Sequence, residues 1–76
     1  MLAAHDALAE LTSREHEVLS LIATGRSDLG ISATLFVTRK TVEFHTQNIF
    51  RKLGVPAGQH DNRRVHAVLT FLHETG

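Results

Sequence analysis

Seventy-six residues place this chain near the smallest size at which one hydrophobic core suffices, which points to a single domain and excludes two. An apolar fraction of 42% against 21% charged residues excludes a disordered tail, no apolar run approaches the ~20 residues that span a bilayer, and the absence of cysteine excludes disulfides and thiolate zinc sites. The net charge is zero but unevenly spread: residues 1–35 carry two basic side chains against five acidic ones, whereas residues 36–55 carry Arg39, Lys40, Arg51 and Lys52 against Glu43 alone.

Residues 1–10, alanine-rich and without a cap, read as a linker or a frayed N-terminal segment ahead of a domain over 11–75. They lack the basic start and continuous apolar stretch of a signal peptide, so a cytoplasmic location is expected. Thr12-Ser13-Arg14-Glu15 has the form of a capping box, and Val18, Leu19 and Ile22 follow on one helical face until Gly25 supplies a left-handed stop. Ser27 is the next N-cap, with Asp28 in the first turn and Leu29, Ile31 and Leu35 marking a short second helix. Gly30 inside it costs roughly 1 kcal/mol relative to alanine, so either close packing demands it or the helix is locally weak.

After an apolar corner at Leu35-Phe36-Val37, Thr38 caps a third and longest helix that runs to Lys52-Leu53 and ends at Gly54 and Pro56. Pro56 to Asn62 reads as a surface loop. Val65, Val68, Leu69 and Leu72 then mark a closing helix to about Glu74. The expected fold is all-α, a four-helix bundle containing a helix-turn-helix.

On the third helix, at about 100° per residue, Val42, Thr46, Ile49 and Leu53 form the core side. Opposite them stand Lys40, Phe44, Gln47 and Arg51, with Glu43 on the shoulder. Such a stripe suits the DNA major groove: glutamine bonds adenine N6/N7, glutamate accepts from cytosine N4, and a ring touches the thymine methyl. Lys40 and Arg51 at its ends would hold phosphates, and Thr38 stands with Lys40 at the helix start. The competing reading is a helical protein-interaction module with no base readout.

Leu11-Thr12-Ser13-Arg14-Glu15-His16-Glu17-Val18-Leu19, Gly25-Arg26-Ser27, Ile31, Leu35, Thr38 to His45 and Asn48 to Val55 together resemble the LuxR-type helix-turn-helix of the NarL/FixJ response-regulator group. Asn62 to Leu69 is similar to its closing helix. The resemblance implies sequence-specific binding of double-stranded DNA for transcription regulation, as the output domain of a two-component response regulator whose receiver domain lies elsewhere in the full-length protein. It implies that Lys40, Thr41, His45 and Lys52 hold the DNA backbone and that Glu43, Phe44 and Gln47 face bases. Asp28 and Gly30 depart from the family's usual Asn and Glu, and the loop after Val55 is longer than the common version.

His45 lies at the edge of the buried side, where a half-buried imidazole and a phosphate donor are both open. His66 and His73 stand two turns apart, ~10.5 Å of rise, too far to share an ion. Without a Gly-x-Ser-x-Gly or a lysine-bearing glycine-rich loop, no catalytic residue, cofactor or metal is expected. Because one recognition helix reads few base pairs, two copies are expected to pair on DNA. Family resemblance places that contact on the closing helix, where Arg64, Ala67, Val68 and Phe71 form the candidate face. Ala67 and Phe71 could equally be extra core.

Overall fold

The structure, a computed structural model, describes residues 8–75. Four helices of eight residues or more fill them: α1 (Ser13–Ala23), α2 (Asp28–Leu35), α3 (Arg39–Leu53) and α4 (His60–Thr75), with no strand among the described residues. Of the expected N-terminal segment, residues 1–7 lie outside the described residues, while Leu8 and Leu11 pack against the core.

The helix starts are determined locally. Thr12 Oγ1 accepts from the Glu15 amide at 3.1 Å and the Glu15 carboxylate accepts from the Thr12 amide at 3.0 Å, so the capping box closes in both directions. Ser27 caps α2 through the Gly30 amide, and Thr38 caps α3 through the Thr41 amide, each at 3.1 Å. Gly25 and Gly54 take the left-handed φ that ends a helix. Phe36 also takes it, at φ 58°, although it carries a side chain, and this reverses the chain between α2 and α3.

Val18, Leu19 and Ile22 of α1, Ile31 of α2, and Val42, Ile49 and Phe50 of α3 form the buried core, closed by Val55 and by Ala67 of α4. Thr46 is buried among them because its hydroxyl donates back to the Val42 carbonyl at 2.8 Å. Leu29, expected inside, is exposed, whereas Ile31 and Leu35 of its helix turn inward and Ser32 is buried beside them. Packing does not demand Gly30: a Cβ there would meet Ser27 Oγ at 3.5 Å, an ordinary contact.

The closing helix differs from its expected form twice. It starts at His60 within the expected loop, the Arg63 amide bonding the Gln59 carbonyl at 3.0 Å and Asp61 lying in a first turn that favours a carboxylate. It is also turned. Val65, Leu69 and Leu72 are exposed, Leu69 by 60%, whereas Ala67 is buried and Val68 and Phe71 pack on the core.

The candidate pairing face Arg64, Ala67, Val68 and Phe71 therefore faces inward. Arg64 reaches Asp28 Oδ1 at 2.6 Å and the Arg26 carbonyl at 2.9 Å, fixing α4 to the start of α2. Phe71 meets the His16 ring edge-on at 5.5 Å. Small Ala67 is fully buried, a place that side-chain hydrophobicity alone does not disclose.

Candidate nucleic-acid interface

The fold leaves one face of α3 open to solvent. Its N-terminus carries Arg39 and Lys40, both exposed, and no acidic residue in the first turn. Cations there oppose the positive end of the helix dipole, an arrangement that suits an anion lying across the helix start. The Thr38 and Thr41 hydroxyls lie 3.0 Å apart at the same end, next to the amides that such an anion would meet.

Glu43, Phe44 and Gln47 all stand exposed, Phe44 by 65%, and together with Lys40 and His60 they line a shallow hollow. An exposed ring of that size gains nothing from the core, whereas a thymine methyl or sugar would cover it. Arg51 is exposed one turn beyond Gln47, its Nη2 donating to Asn48 Oδ1 at 3.0 Å. His45 sits half-buried on the shoulder with its ring 5.8 Å from that of Phe44.

Lys52, expected at the DNA backbone, is held by an acid of the domain itself. Its ammonium lies 2.7 Å from Glu15 Oε1, and both side chains are largely covered, 23% and 6% exposed. The charge is directed into the domain, tying the last turn of α3 to the capping box of α1. Burial alone would raise the Glu15 pKa, but the hydrogen bond and charge of Lys52 and the Thr12 amide more than offset it, so the carboxyl titrates below its ordinary value. With its ammonium engaged by Glu15, Lys52 has a structural partner within the domain.

Two further residues reach this face from α4. Arg63 Nη1 donates to Gln47 Oε1 at 3.4 Å, with the guanidinium over the Phe50 ring. The His60 ring lies 5.8 Å from that of Phe50. The periodicity of α3 could not reveal them, since they come from a segment whose polar composition reads as loop. The signals available in the sequence were the long connection after Val55 and the Arg63-Arg64 pair.

Residues 9–67 match the model of a family described as bacterial regulatory proteins, luxR family. The chain belongs to this family. It is 36% identical over 74 residues, 97% of its length, to the nitrate/nitrite response regulator protein NarP of Escherichia coli. It is 42% identical over 67 residues, 88% of its length, to a nitrate/nitrite response regulator protein homolog of Haemophilus influenzae. Over 51 residues, 67% of its length, it is 45% identical to the probable transcriptional regulatory protein SgaR of Hyphomicrobium methylovorum. The matches cover 32%, 29% and 24% of those proteins, so the chain spans about a third of their length or less. As a luxR-family domain of the NarL type, it is a DNA-binding domain of transcription regulation.

Proposed function

We propose that residues 11–75 form a DNA-binding unit that reads double-stranded DNA by laying α3 in the major groove. Glu43, Phe44 and Gln47 meet base edges, while Lys40, Arg51, Thr38, Thr41 and His45 meet the backbone. The observation that carries this reading is the exposed stripe on α3, with cations at its ends and a ring and two hydrogen-bonding side chains between them. The module acts by binding and has no catalytic step. In the whole protein it is the output domain of a cytoplasmic response regulator, governed by a receiver domain of the same chain. No helix among the described residues is long and apolar enough to cross a membrane.

Two copies pair on DNA through the face that α4 leaves open. Val65, Leu69 and Leu72 recur at helical spacing there, in place of the inward-turned residues.

Binding-site selection with the purified chain, followed by salt titration on the selected duplex, tests the reading. A defined sequence should emerge, Glu43→Ala should relax selection at one or two positions, and Lys40→Ala should weaken every sequence and shallow the salt slope by about 0.9. Binding with no base preference would favour a protein-interaction module instead.

A further inference from the structure

Arg63 belongs to the closing helix, yet its guanidinium reaches the base-facing side of α3. It lies over the Phe50 ring, 4.6 Å from guanidinium carbon to ring centroid, and donates from Nη1 to Gln47 Oε1 at 3.4 Å. Its Nε is buried with no hydrogen-bond partner among the described residues, so the head is located by the ring beneath it and the amide beside it. A planar cation resting on a buried aromatic ring is pre-organised in a way that a solvated arginine is not. Arginine has five N–H donors and no acceptor. Beside it, Gln47 must turn its oxygen toward the guanidinium and present its Nε2 hydrogens on the other side.

That orientation decides which base edge Gln47 can match. A free glutamine pairs with adenine by donating to N7 and accepting from the N6 amino group. With Oε1 against a cation, one of its two lone pairs is engaged, and an incoming amino donor meets the positive charge behind it. The Nε2 hydrogens remain available, and guanine offers N7 and O6 as adjacent acceptors in the same groove. We infer that Arg63 is a specificity-determining residue that holds Gln47 as a donor, so that this position of the site is read as guanine rather than adenine. The inference rests on the proposed base contact of Gln47 and deepens it. The early start of α4 at His60 is what brings Arg63 to this place.

Binding-site selection on the 76-residue chain tests it with Gln47→Ala, Gln47→Lys and Arg63→Met. The unsubstituted chain should enrich guanine over adenine about ten-fold at one position, and Gln47→Ala should erase that preference there. Gln47→Lys, a donor-only side chain, should select the same base as the unsubstituted chain. Arg63→Met keeps an apolar stem over Phe50 but has no N–H, and should shift that position to adenine with its neighbours unaltered.

Adenine preferred by the unsubstituted chain, guanine retained unchanged by Arg63→Met, or a uniform loss over all sequences in that variant would each overturn the inference. If Gln47→Ala alters no position, the error lies in the base contact itself rather than in the role of Arg63. Should circular dichroism show Arg63→Met unfolded, Arg63→Gln, which keeps a polar side chain without the charge, takes its place: a shift toward adenine supports the inference, and guanine retained unchanged overturns it.

Discussion

Replacing Lys52 by methionine should destabilise the domain and leave DNA recognition nearly untouched. The variant keeps most of the apolar stem but removes the ammonium 2.7 Å from a Glu15 side chain that is only 6% exposed. Stranding one member of a buried ion pair costs about 3–5 kcal/mol, whereas an exposed pair is worth about 0–1. Lys52 is partly exposed and Glu15 keeps its bond from the Thr12 amide, so an intermediate loss of roughly 2 kcal/mol is expected. For a chain whose total stability is about 4–11 kcal/mol, that is a large share, and it lowers Tm by roughly 8–16 °C. Thermal and urea denaturation would measure it. The double variant with Glu15→Gln should lose less than the sum of the singles, since neither partner then buries an unmatched charge. If Lys52→Met melted with the unsubstituted chain and instead weakened all DNA sequences with a shallower salt slope, the cation would belong to the phosphates and the argument from Glu15 would be wrong.

Gly30→Ala should raise stability by about 0.5–1 kcal/mol in urea denaturation, since its Cβ meets only ordinary contacts and its helix has no need of the extra freedom. The Glu15 carboxyl titrates below its ordinary value of 4.5, so its contribution is complete above that value and disappears as pH falls through the lower folded value. Denaturation between pH 6 and 3 should therefore show a steeper acid loss in the unsubstituted chain than in Glu15→Gln. Leu69→Asp, on the open face of α4, should abolish cooperative binding to a two-half-site duplex while leaving the fold and single-half-site affinity intact; cooperativity that survives would remove that face from the pairing.

What could be read from the sequence depended on the distance over which each choice is made. Thr12, Ser27 and Thr38 act within three residues of themselves, and all three caps form as their spacing indicates. The core side of α3 was legible for the same reason, although Phe50, at its margin, is as buried as Val42. Lys52 is directed by Glu15, 37 residues away, and Arg64 by Asp28, 36 residues away. No local pattern carries that information. The closing helix offers two plausible faces: the larger apolar side chains favour Val65, Leu69 and Leu72, whereas the ion pair of Arg64 and the small Ala67 select the other. Glu43, Phe44 and Gln47 do stand exposed on α3, but the α4 residues beside them became visible only when the loop proved to be helix.

Those same ion pairs explain how a chain of zero net charge presents a basic face. Three acids of the N-terminal half are paired: Glu15 holds Lys52, Asp28 holds Arg64, and Glu17 lies 3.9 Å from Arg14. The first two join helices and largely take their charges out of the balance an approaching polyanion meets, whereas the half-exposed Arg14–Glu17 pair lies within α1. Arg39, Lys40 and Arg51 remain exposed along α3, with Arg63 beside them, Glu43 among them and Asp61 lining a hollow with Arg39. A Debye length of about 8 Å makes the field of this patch, rather than the sum over the molecule, what a phosphate experiences at contact. If Glu43 meets a base as proposed, it would reduce that attraction for any sequence and gain only where a cytosine amino group meets it, lowering non-specific affinity more than specific affinity. On the proposed reading the face discriminates among sequences at some cost in general affinity, and pairing of two copies on DNA would offset that cost.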